Sequence, residues 1–65
     1  MTLFELRKKK RIGQKELAKM INVSYKQFQR YERYECIPPL DKAILWGEAL
    51  GIKIAKFVTL YNKEE

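Results

Sequence analysis

Histidine is absent from this 65-residue chain, and cysteine occurs only once, as Cys36. There is no Cys pair, no glycine-rich phosphate loop, and no Ser beside an obvious base. The usual metal-ligand and nucleophile constellations therefore have no starting material. The eight acids are scattered among basic residues instead of paired. Nothing supports a catalytic site, so no enzyme, cofactor or metal site is expected. A lone cysteine cannot close an internal disulfide, which leaves nothing pointing to secretion and makes an inert loop thiol the default for Cys36. No apolar run approaches the ~18 residues a membrane span needs, and the chain does not open on a charged-then-apolar leader. Met1 reads as a native start, the expected compartment is the cytoplasm, and neither a membrane nor a small-molecule ligand is expected as partner.

What the chain has in excess is positive charge. Fourteen Lys and Arg against eight Asp and Glu give +6, with a sequence pI of about 9.6. A field that strong on so small a body suits phosphate or an anionic membrane surface, and composition does not separate the two. Hydrophobic residues make up 46% of the chain, more than a disordered polar tail carries, so a packed core is expected. Residues 1–65 read as a single domain near the lower size limit for unaided folding, where dimerisation would add stability.

Local signals divide the chain into five short helices. Thr2 and Glu5 make a capping box ahead of a first helix, with Leu3, Leu6 and Lys10 on one face. The run Lys8 to Arg11 suits that helix's C-terminus, as a solvated end or as phosphate contacts. Gly13 can cap a second helix from Gln14 to Met20, turning Leu17, Ala18 and Ile21 inward. Asn22 tolerates positive φ in a tight turn, and Ser24 is a good cap for a third helix holding Phe28 and Tyr31. Pro38 and Pro39 force a loop, Leu40 to Leu50 reads as a fourth helix stopped by Gly51, and Ile54, Phe57, Val58 and Tyr61 mark a fifth. Residues from Asn62 onward are expected to fray. The fold class is all-α.

Two short helices joined by a tight turn, the second rich in hydrogen-bond donors, are what the major groove accommodates. Such a unit needs a small Ala18 where the helices cross, a strained turn at Asn22, and Val23 and Phe28 to fill the wedge. All stand at consistent spacings between residues 14 and 32. The string Leu6-Arg7, Gln14-Lys15-Glu16-Leu17-Ala18, Val23-Ser24, Phe28, Arg30-Tyr31-Glu32, Pro38, Leu40 and Ala49-Leu50-Gly51-Ile52 resembles the Cro/Xre-type helix-turn-helix domains of phage and bacterial repressors. The resemblance covers roughly residues 3 to 60. It implies a lambda-repressor-like bundle and a sequence-specific regulator of transcription, binding double-stranded operator DNA.

The resemblance also places the roles. Gln14 opens the second helix and would hold the DNA backbone there, where free amides favour phosphate. The third helix becomes the recognition helix, with Ser24, Tyr25, Lys26, Gln29 and Arg30 facing DNA. Lys26 and Arg30 suit guanine O6 and N7, Gln29 suits adenine, and Tyr25 suits a thymine methyl or a phosphate. Ser24 can also serve only as a cap, and the bland reading of the others is a solvated helix face. Arg33 fits a backbone contact. In relatives that share both, the counterparts of Arg7 and Glu32 form a buried or half-buried ion pair between the first and third helices, so both are assigned structural roles.

Three positions depart from the family's pattern. Tyr34 stands where Gly is common, so either the following loop differs or Tyr34 lies against the DNA backbone as a donor. Arg11 replaces the Gly that often ends the first helix, and Lys53 and Ala55 replace the usual cap and acid of the last. Leu45, beside Ile44 and Trp46 taken as core-facing, joins Val58, Leu60 and Tyr61 in an expected apolar patch for a homodimer, whose recognition helices would lie about 34 Å apart on a near-palindromic site. With the chain expected to stop just past this core, no sensor or effector domain is foreseen. That favours a minimal Cro-like repressor, a plasmid or restriction-system regulator, or an antitoxin-like autoregulator. Two other functions compete: a protein-interaction module of the same fold, such as an antitoxin or antirepressor partner, and a binder of nucleic acid without sequence preference.

Overall fold

The computed structural model describes residues 2–62. Among them the backbone forms five helices and no strand: α1 (Leu3–Lys9), α2 (Gln14–Met20), α3 (Tyr25–Glu32), α4 (Leu40–Ala49) and α5 (Ile54–Asn62). None is long and apolar enough to cross a membrane.

The starts of α1 and α3 follow from their caps. Thr2 Oγ1 accepts from the Glu5 backbone N–H at 3.0 Å, and Glu5 Oε1 accepts from the Thr2 N–H at 2.8 Å, which completes the capping box. The bond from the Thr2 backbone N–H foremost, and the Thr2 hydroxyl after it, hold the Glu5 carboxyl below its ordinary range. Ser24 Oγ caps α3 by accepting from the Gln27 N–H at 3.1 Å.

The first four helices end alike. In each, the residue after the C-cap turns left-handed, and the next two amides bond back into the last turn as a Schellman pair. Gly51, at φ 75°, is the occupant expected for such a turn. The other three are Arg11 (φ 59°), Asn22 (φ 62°) and Tyr34 (φ 64°). The turn after α1 and the loop after α3 thus keep the glycine conformation despite their side chains. At Tyr34 the expectation of a different loop is corrected: Tyr34 N–H reaches the Tyr31 carbonyl at 3.1 Å and Glu35 N–H reaches that of Arg30 at 2.9 Å.

Packing centres on Trp46. Its indole meets Phe28 and Phe57 edge-on at centroid distances of 5.0 and 5.1 Å, and Tyr61 at 6.3 Å. Leu17, Ile21 and Leu50 are wholly buried around it. Such aromatic pairs each contribute about 0.5–1.5 kcal/mol beyond the area they bury. The indole Nε1 is buried without a partner, a loss of roughly 1–3 kcal/mol that the packing must offset. Gly47 faces α5 from the inner side of α4, and a Cβ there would meet the Ile52 carbonyl oxygen at 3.4 Å and Phe57 Cβ at 3.6 Å, ordinary contact distances.

Two expected faces are corrected. In α4, Ala43, Trp46, Gly47 and Leu50 line the inner side at i, i+3, i+4 and i+7, which leaves Ile44 39% exposed instead of core-facing. In α5 the inward residues are Phe57 and Leu60, with Tyr61 half-buried, while Ile54 and Val58 face out. Leu60 therefore belongs to the core and not to an external patch. From the loop before α4 to α5, the exposed apolar side chains are instead Ile37, Leu40, Ile44, Leu45, Ile54 and Val58. Asn62 remains in helix, and the fraying expected for Lys63 to Glu65 lies outside the described residues.

Candidate nucleic-acid interface

Helices α2 and α3 are joined by the four residues Ile21 to Ser24. The left-handed Asn22 reverses the chain, Ile21 and Ala18 are buried beneath the turn, and Val23 is half-buried beside them. Lys42 Nζ donates to the Asn22 carbonyl at 3.3 Å, which ties the turn to α4. Phe28 and Tyr31 then anchor α3 to the core.

That anchoring decides which side chains face out. Residues advance by about 100° along a helix, so Tyr25, Gln29, Arg33, Lys26 and Arg30 fall within an arc of about 140° opposite Phe28 and Tyr31. Tyr25, Lys26, Arg30 and Arg33 are exposed and Gln29 is half-buried. The Tyr25 ring carries Lys15 Nζ 5.4 Å from its centroid, a cation–π arrangement that holds a second ammonium beside this face. Ser24 is exposed, with its hydroxyl oxygen engaged as the cap.

Beneath the face lies a charged hub. Arg7 Nε donates to Glu32 Oε2 at 2.9 Å and Arg7 Nη2 to Glu32 Oε1 at 3.3 Å, with side chains only 8% and 9% exposed. Arg7 Nη1 donates to the Ile12 carbonyl at 2.8 Å, so the guanidinium also braces the turn after α1. Removing one partner of such a pair strands a buried charge, at a loss of about 3–5 kcal/mol. Gln14 joins the hub: its Nε2 donates to Glu32 Oε1 at 2.7 Å, and its Oε1 lies 3.5 Å from both Tyr25 Oη and Gln29 Nε2.

The structure therefore brings Gln14, Tyr25 and Gln29 into contact and sets Lys26, Arg30 and Arg33 on the same face. Tyr34 sits apart. It is 40% exposed, and its ring packs edge-on against Tyr61 of α5 at 4.6 Å. Residue-type reasoning missed two things. Gln14 was assigned to DNA and Glu32 to Arg7, with no sign that the two bond to each other. Lys15 went unremarked, although its place one residue after Gln14, in the first turn of α2, was the available signal. Among the described residues no group of three or more His, Cys, Asp or Glu is placed to hold a metal ion.

A family model described as helix-turn-helix matches residues 3–57, from the start of α1 into α5. No curated protein and no solved structure gives a significant match to the chain. With five helices, a left-handed turn between α2 and α3, and that match across most of its length, the chain belongs to the Cro/Xre-type helix-turn-helix family of DNA-binding transcriptional regulators.

Proposed function

We propose that the protein is a Cro-like repressor that reads an operator with α3 in the major groove and binds as a homodimer. One observation carries this reading: the outward arc of α3 presents Lys26, Gln29, Arg30 and Arg33 together, without an acid among them, over a buried Phe28 and Tyr31. A solvated helix on a small soluble domain mixes both signs of charge, whereas a groove-reading helix concentrates donors. Lys26 and Arg30 donate to guanine, Gln29 pairs with adenine, and Tyr25 touches a thymine methyl or phosphate. Arg33, Ser24 and Gln14 border the contact, with Arg33 on the backbone, and Tyr34 lies apart from it on the loop that follows α3. Repression follows from occupancy of the operator. The homodimer draws support from Ile37, Leu40, Ile54 and Val58, exposed apolar side chains that line one groove, since a gathered apolar surface marks an interaction site.

Selection of bound sequences from random duplex DNA tests the whole reading. A near-palindromic consensus with half-sites one helical turn apart is the expected result. Weak binding with no consensus would instead identify a protein-interaction module, and tight, salt-sensitive binding with no consensus a binder without sequence preference.

A further inference from the structure

We infer that Glu32 is a positioning residue for base recognition, acting through Gln14 to fix which way the carboxamide of Gln29 points; this rests on the reading of α3 as the recognition helix. A deprotonated carboxylate only accepts hydrogen bonds. Glu32 sits almost entirely out of water with Arg7 donating to both of its oxygens, so whatever else approaches it must present a donor. Gln14 does so, turning its NH2 to Glu32 at 2.7 Å. The same rotamer aims Gln14 Oε1 at α3, where an acceptor requires donors in return. Those are the Gln29 NH2 and the Tyr25 hydroxyl, each at 3.5 Å.

Direction thus passes in one sense, with Tyr25 joining as a second donor at Gln14. Arg7 and Gln14 donate to Glu32, and Gln29 donates to Gln14. At each amide the flipped orientation would set two acceptors or two donors face to face. The outcome matters because a glutamine reads adenine with its oxygen on N6–H and its nitrogen on N7. An amide free to flip also matches the reverse pattern. Held by one N–H, Gln29 keeps its second N–H and its carbonyl oxygen for one base pair in one orientation. Gln14 itself is left with one free N–H, so its main role passes from phosphate contact to orientation of its neighbour.

The experiment is binding-site selection and competition binding with wild type, Gln14→Ala, Gln14→Met and the double variant Gln14→Ala, Gln29→Ala, each checked for an unchanged helical spectrum. The methionine variant keeps side-chain bulk at Gln14, so loss of packing is separated from loss of the hydrogen bonds. Both single variants are expected to keep the consensus except at one base pair per half-site, where preference for adenine falls by about tenfold. The double variant is expected to lose no more there than Gln29→Ala, which is measured beside it as the reference. In the free protein, the side-chain amide resonances of Gln29 should shift and broaden in both single variants. If the variants keep the adenine preference, or lose affinity equally on every sequence, Gln14 is a backbone contact and the inference is overturned. A wild-type chain that selects no consensus overturns the operator reading itself, and the orientation of Gln29 falls with it.

Discussion

Arg11, Asn22 and Tyr34 occupy backbone that a side chain normally avoids, and each is held there by two bonds, one from its own amide and one from the next. Left-handed φ costs a residue with a Cβ about 1–2 kcal/mol, whereas glycine has no such cost but loses more freedom on folding. Arg11 is exposed, so its strain is separable from packing. Arg11→Gly is expected to stabilise the fold by about 0.5–1 kcal/mol, read as a rise of roughly 2–8 °C in Tm by thermal melting. Tyr34→Gly relieves the same strain but removes the ring set against Tyr61 at 4.6 Å, worth about 0.5–1.5 kcal/mol. It should gain less than Arg11→Gly or lose stability. Equal gains in the two variants would mean that the Tyr34–Tyr61 contact contributes nothing in solution.

At the scale of the helix, α1 is short and its start depends on the capping box. Folding lowers the Glu5 pKa from an ordinary value of 4.5, because bonds from the Thr2 backbone and hydroxyl favour its ionised form. A group with a depressed folded pKa stabilises above its unfolded value and loses that contribution as pH falls through the folded one. The cap of α1 should therefore weaken below about pH 4.5. In Glu5→Gln the stability–pH curve should be flatter over that window, as measured by urea titration, and an unchanged acid limb would remove Glu5 from the account. Elements of this kind were legible because their causes are local: the Thr2 and Ser24 caps, the Asn22 turn and the Gly51 stop all lie within a few residues of what they control. The faces of α4 and α5 were less legible. Ile44 and Ile54 are as apolar as their buried neighbours, and only the packing around Trp46 and Phe57 separates the side that meets the core from the side that does not. The contact face of α3 could be anticipated from donor chemistry and spacing. The Glu32–Gln14–Gln29 connection could not, since it joins residues 18 and 15 positions apart through tertiary packing.

At the scale of the molecule, charge and apolar surface pull in opposite directions. A net charge of +6 on a body about 24 × 23 × 19 Å makes two copies repel across most approaches. Against this stands a groove of about 330 Å³ lined by Ile37, Pro38, Leu40, Ile54 and Val58, whose rim includes the 84% exposed Ile37 and the 69% exposed Leu40. In the proposed complex DNA would resolve the conflict, its phosphates neutralising the repulsion while two copies sit one helical turn apart. The proposed dimer is therefore expected to be weak in free solution at low salt and to form cooperatively on a full operator. Salt should act with opposite signs on the two equilibria, strengthening self-association of the free protein while weakening its binding to DNA. Both effects are measurable by sedimentation with and without operator duplex. Substituting Ile54→Lys and Val58→Lys places two ammonium groups in the groove at exposed positions, where the fold should tolerate them to within about 1 kcal/mol. The double variant is expected to bind a half-site as tightly as the wild type but to lose cooperativity on the palindrome. Undiminished cooperativity would move the dimer contact elsewhere on the surface, and a single copy bound per full operator in the wild type would eliminate the dimer.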